Sequence, residues 1–78
     1  QDKNEAEIIQ QYQLGKSELV KKGMSYYYKG DYDKAIEYFK KAIALYPDFD
    51  EPYNNLGAAY FSIGKYEEAI TNFKKAIV

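Results

Sequence analysis

The sequence predicts an all-α chain built from helical hairpins, and three observations carry that prediction. The stretch GDYDKAIEYFKKAI at residues 30–43 returns as GKYEEAITNFKKAI at residues 64–77, an internal repeat with a period of 34 residues. Apolar residues inside each copy recur at i, i+3, i+4 and i+7, the spacing of a helix with one buried face. Gly30, Gly64 and Pro47 fall where that periodicity breaks. A repeated unit of this kind points to architecture before chemistry, because each hairpin hides its apolar face only against a neighbour.

Residues 1–15 match none of the repeat. Asn4 and Glu7 have the spacing of a capping box, and Ile8, Ile9 and Tyr12 form a short apolar stripe, so an amphipathic helix ending near Gly15 is expected. It could be the second helix of a degenerate preceding repeat, fold into a groove of its own or a neighbouring chain, or fray or run on continuously. The next helices are expected over roughly 17–29, 33–46, 51–63 and 67–78. In the first, Leu19, Gly23 and Tyr26 share one face, while Val20, Met24, Tyr27 and Tyr28 share another. Two apolar faces on one helix require two partners, one of them outside the hairpin.

Gly30-Asp31 suits a tight turn, with Gly in the left-handed conformation that follows a helix end. The second helix carries Ala35, Ile36, Phe39, Ala42 and Ile43 on one stripe, and Pro47 stops it. Asp50 is placed to cap the third helix, with Pro52 tolerated in its first turn. After Gly64-Lys65, the fourth helix repeats the stripe as Ala69, Ile70, Phe73, Ala76 and Ile77. The 34-residue shift superposes Gly23 on Gly57, Tyr26 on Tyr60, Tyr32 on Tyr66, Ala35 on Ala69 and Phe39 on Phe73. Small residues let backbones approach and an aromatic ring fills the gap beside them.

The second copy reads Tyr53-x2-Leu56-Gly57-x2-Tyr60, then Ala69-x3-Phe73; the first reads Leu19-x2-Lys22-Gly23-x2-Tyr26, then Ala35-x3-Phe39 and Pro47. These residues resemble the tetratricopeptide repeat family, whose 34-residue helix–turn–helix unit follows W-x2-L-G-x2-Y…A-x3-F…P. An aromatic stands for Trp in the second copy. Lys22 stands where the pattern has Leu, a departure that fits a less buried helix at the end of an array. The resemblance covers residues 16–78 and divides the chain into an N-terminal amphipathic segment (1–15), a first repeat (16–49) and a C-terminally truncated second repeat (50–78). It implies an α-solenoid fragment with a right-handed superhelix. The packing positions it implies are Leu19, Gly23, Tyr26, Ala35, Phe39, Ala42, Pro47, Tyr53, Leu56, Gly57, Tyr60, Ala69, Phe73 and Ala76. Tyr32 and Tyr66 are expected to fill core as well, leaving Tyr12, Tyr27, Tyr28, Tyr38 and Tyr46 in surplus.

Composition narrows the function. Apolar content of 46% with 29% charge is ordinary for a soluble globular chain, and the length supports one small domain. Net charge is −1 and all eleven basic residues are Lys, which makes nucleic acid a poor partner. The chain has no His and no Cys, so the commonest general bases, nucleophiles and zinc ligands are missing, and neither enzyme activity, cofactor nor metal is expected. No apolar run approaches the ~20 residues of a membrane span, no leader precedes Gln1, and the compartment is left open. Gly15-Lys16-Ser17 ends like a phosphate-binding loop, but that motif needs Gly where Gln10 stands; its reading is a helix boundary with a capping-type residue after it. Asp48, Asp50 and Glu51 begin like a calcium loop, yet the sharp-turn Gly would fall at Tyr53 inside a helix.

The resemblance further implies a concave groove lined by the first helix of each hairpin: Ser17, Val20, Met24, Tyr27 and Tyr28, then Phe49 from the turn, then Glu51, Asn54, Asn55, Ala58, Phe61 and Ser62. The best-known ligands of the family are acidic C-terminal tails of cytosolic chaperones, held by Lys and Asn side chains. Val20 and Met24 stand where such clamps carry Lys and Asn, and only Asn55 matches. The lining suits an apolar peptide or an amphipathic helix instead. Solenoids generally need about three repeats and polar caps, and no polar helix follows to cover Ile70, Phe73 or Ile77. The expectation is therefore a protein-interaction scaffold that binds a protein or peptide segment; self-association as a homo-oligomer, filling the groove or covering the last helix, is the alternative.

Overall fold

The computed structural model of the chain describes residues 15–77. Residues 1–14 and Val78 lie outside the described residues, and with them the helix expected before Gly15. Four helices follow in order: α1 (Lys16–Tyr28), α2 (Tyr32–Leu45), α3 (Glu51–Ser62) and α4 (Tyr66–Ala76). Helices α1 and α2 pack as one hairpin and α3 and α4 as another; α3 also lies against α2, and α1 touches α3.

The two hairpin turns are built alike. Gly30 and Gly64 have φ of 84° and 83°, the left-handed region that a residue with a Cβ enters only at a cost. At the first turn Asp31 N donates to Tyr26 O (2.9 Å) and Gly30 N to Tyr27 O (3.0 Å). At the second, Lys65 N donates to Tyr60 O (2.9 Å) and Gly64 N to Phe61 O (3.1 Å). This pair of bonds is the Schellman arrangement, which satisfies carbonyls that the helix end would otherwise leave open.

Helix starts differ from one another and from expectation. Asp31 caps α2, its Oδ1 accepting from Lys34 N at 3.2 Å. Asp50 stands at the N-cap of α3 but makes no side-chain cap bond, because its backbone is already helical (φ −76°, ψ −31°). Gly15 is the N-cap of α1, so Ser17 sits inside the first turn and caps nothing.

The core holds Leu19, Val20, Ala35, Phe39, Ala42, Leu56 and Ala59. Within each hairpin a glycine faces a phenylalanine ring. A Cβ on Gly23 would overlap the Phe39 ring, and one on Gly57 would lie 2.7 Å from the Phe73 ring and 3.1 Å from the Ala69 carbonyl oxygen. Tyr26 and Tyr60 are half-buried against this core, and Tyr53, Phe73 and Ala76 are half-buried too. Two expected packing positions come out otherwise. Pro47 is exposed and acts only by stopping α2. Tyr66 is 56% exposed, its ring set edge-on against Phe61 rather than in the core. No described helix is long and apolar enough to cross a membrane.

Gly57→Leu should abolish the cooperative thermal transition or lower its midpoint far more than Gly64→Ala does. Gly64→Ala meets no neighbouring atom and carries only the left-handed backbone cost of roughly 1–2 kcal/mol. Circular dichroism melts of the two variants check this; equal midpoints would contradict the close helix approach at Gly57.

Candidate functional site

Helices α1 and α3 lie side by side, so residues 34 apart repeat along one surface. Tyr27 of α1 and Phe61 of α3 are such a pair. The Tyr27 ring meets Tyr28 edge-on (5.7 Å between centroids) and Tyr32 likewise (5.3 Å). Its hydroxyl lies 3.4 Å from Ser62 Oγ, which itself donates to the Ala58 carbonyl at 3.0 Å, so the weak Tyr27 contact ties the two helices together. Phe61 packs on Tyr66 at 5.1 Å. Tyr28 is 77% exposed and Phe61 59%.

The remaining residues expected to line the groove divide into three groups. Val20 is only 4% exposed and belongs to the core, so this part of the second apolar face of α1 is already covered. Met24 and Phe49 are half-buried against the core, and the Lys16 ammonium sits 4.9 Å from the centre of the Phe49 ring. Ser17, Glu51 and Asn54 are exposed, Ala58 is half-buried. Asn55 is half-buried too, and its Nδ2 is enclosed with no hydrogen-bond partner. A buried donor left unmade costs about 1–3 kcal/mol, and because Nδ2 is enclosed, an outside acceptor reaches it only when the side chain turns outward.

Sequence reasoning missed the lysines. Tyr26 and Tyr38 stack at 5.7 Å with planes 16° apart. Lys29 and Lys34 lie over Tyr26, and Lys22 and Lys41 over Tyr38. Lys40 covers Tyr60 and Lys75 covers Tyr53. Lys22, a departure from the repeat pattern by sequence, thus has a place on a ring face. The available signal was Lys three residues after Tyr at Tyr26–Lys29 and Tyr38–Lys41, a helical neighbour spacing. Among the described residues no ammonium lies over Tyr27, Tyr28, Tyr32, Phe61 or Tyr66. They form a bare aromatic patch where α1 and α3 end and the turns begin.

Among the described residues no group of three or more acidic side chains could hold a metal ion. An open pocket of about 330 Å³ lies at the turn between hairpins, lined by Pro47, Asp48, Asp50, Tyr53 and Lys75. Its one lysine is engaged over the Tyr53 ring at 5.8 Å.

Two family models match the sequence, one described as "TPR repeat" over residues 23–64 and one as "Tetratricopeptide repeat" over residues 51–78. A solved structure titled "Crystal structure of MamA" is similar with a TM-score of 0.80 and 36% sequence identity. The similarity covers 88% of this chain and 40% of that one, so this chain spans less than half of its length. No curated protein matches the sequence.

Because Tyr28 and Phe61 are exposed, Tyr28→Glu with Phe61→Glu should change stability by no more than about 0.5 kcal/mol per site. A thermal melt of the double variant checks this, and a loss of several kcal/mol would mean that both rings carry folding energy.

Proposed function

Because this chain belongs to the tetratricopeptide repeat family, whose repeats are typically non-catalytic scaffolds for protein–protein interaction, we propose that it binds an apolar peptide or amphipathic helix along α1 and α3. The observation that carries this reading is the bare aromatic patch of Tyr27, Tyr28, Tyr32, Phe61 and Tyr66. Tyrosine and phenylalanine offer large contact area at small conformational cost, and contiguous exposed apolar surface marks contact sites on soluble proteins. Met24 extends the patch inward as adaptable, half-buried filler, and Phe49 lies at the other end of the groove under the Lys16 ammonium. Turned outward, the Asn55 amide supplies a directional contact for a ligand carbonyl and leaves its unmade burial behind. Val20, Met24 and Ala58 give no cation or donor for an acidic tail, which supports an apolar ligand over a carboxylate one.

Titrating the ¹⁵N-labelled chain with a Leu-rich amphipathic helical peptide should shift the amides around Met24, Tyr28 and Phe61. An acidic C-terminal pentapeptide should leave them unmoved. Preference for the acidic peptide would overturn the reading. Asn55→Leu removes the buried unmade donor, so its melting temperature should equal or exceed that of the parent chain while peptide affinity falls about three- to tenfold, as expected for one lost hydrogen bond. Isothermal titration of that variant measures the second effect. Self-association, the other reading, would place another copy of the chain in this groove or over the exposed Ile70 and Ile77 of the last repeat.

A further inference from the structure

Residues 1–14 lack the Ala and Phe of the repeat pattern, with Gln1 and Glu5 in their places, yet Ile8, Ile9 and Tyr12 stand 34 residues before Ala42, Ile43 and Tyr46. Glu5 precedes Ile8, Ile9 and Tyr12 by three, four and seven residues, so helical spacing sets a carboxylate in line with the apolar stripe. Its equivalent in α2, Phe39, is fully buried. On α1 a departure of opposite sign occurs. Lys22 stands 34 residues before Leu56, is exposed, and holds its ammonium 5.9 Å from the centre of the Tyr38 ring. Phe39 and Leu56 belong to one core cluster, where α2 lies on α3. Thirty-four residues earlier that juxtaposition reads Glu5 with Lys22.

We propose that residues 1–14 dock as a helix antiparallel to α1, on the edge that carries Lys22, with Glu5 paired to the Lys22 ammonium. The chain shows the arrangement on itself, since α2 covers the equivalent edge of α3. Gly15 has an extended backbone (φ −77°, ψ 175°), so the preceding residues do not continue α1 as one helix. Residues 12–15 then supply a link one residue shorter than residues 46–50, which join α2 to α3. Charge selects the same occupant. Residues 1–14 carry Asp2, Glu5 and Glu7 against Lys3 alone, whereas residues 16–45 carry seven lysines against four carboxylates. Lys22, Lys29 and Lys34 lie over the stacked Tyr26 and Tyr38 rings. An apolar guest would have to push these ammoniums aside, while a carboxylate pairs with them where they stand.

Lys22 stands on the opposite side of α1 from Met24, so this inference and the peptide-binding reading fail separately. The chain has no Cys, and Lys3→Cys gives residues 1–78 one thiol for a spin label, away from the apolar stripe. Broadening of ¹⁵N amide signals should fall on Ser25, Lys29 and Tyr38 and spare Ala58 and Phe61. Mixing spin-labelled, unenriched chain with unlabelled ¹⁵N chain should broaden nothing. Glu5→Lys alone and Lys22→Glu alone should each weaken the broadening several-fold and lower the melting midpoint, and the double reversal should restore both, the coupling expected of a direct pair. Broadening at Ala58 and Phe61 overturns the proposal by placing the segment in the groove. So does broadening in the mixed sample, which assigns the contact to a neighbouring chain. A label that broadens no amide of α1 or α2, or a Glu5→Lys midpoint equal to that of the parent chain, overturns it as well.

Discussion

A phenylalanine ring lying where a glycine has no side chain sets how near the two helices of each hairpin can come. The pairs are Gly23 with Phe39 and Gly57 with Phe73. Close approach at that level brings Ala35, Ala42 and Ala69 into full burial, since only small side chains fit between backbones held so near. It also demands a short, fixed turn, which Gly30 and Gly64 supply through their left-handed backbone. With both turns closed by the same two hydrogen bonds, the first helices of the hairpins end at matching levels. The alignment of Tyr27 with Phe61, and hence the aromatic patch, follows from a contact buried on the other side of the same helices.

Identical local rules meet different surroundings in the two hairpins. Phe39 is fully buried because α3 closes over α2, whereas Phe73, in the same register, is half-buried. Ala42 and Ala76, Ile36 and Ile70, and Ile43 and Ile77 repeat the contrast. The burial difference therefore reports packing between hairpins rather than within them. It separates the energy that makes a hairpin, shared by both, from the energy that joins hairpins, which α2 collects against α3 and α4 does not among the described residues.

Most of the fold was legible in the sequence because its signals are periodic and local. Each of the four described helices lies within two residues of its expected bounds, and the glycine turns behave as their spacing required. What escaped depended on a third dimension. Tyr66 occupies a repeat position yet lies at the surface, because its equivalence to Tyr32 says nothing about what packs over it. Val20 shares a helical face with Met24 and Tyr28 but is buried, since the angular breadth of a stripe does not tell where cover begins. Asp50 looks like a cap and is not one, because capping depends on a backbone angle that composition does not set. The lysines over Tyr26 and Tyr38 come partly from a facing helix, so their spacing in sequence carries only half the signal.

Those lysines bear on where a ligand would gain its free energy. An ammonium over a ring keeps water at that ring's edge, and a ligand docking there would have to displace or accommodate the charge, at a cost comparable to the roughly 0.5–1 kcal/mol of an exposed cation–π contact. Five rings, Tyr26, Tyr38, Tyr53, Tyr60 and Phe49, are screened in this way. The rings left bare gather at the turn end of α1 and α3, while Ser17, Glu51 and Asn54 at the opposite end are polar and exposed. On the proposed reading this polarity along the groove orients the ligand: its apolar anchor sits by Tyr28 and Phe61, and its polar end points toward the starts of α1 and α3. Because no described lysine lies over the anchor rings, affinity there would come from buried apolar area and depend little on ionic strength. A clamp built on lysines would show the opposite behaviour.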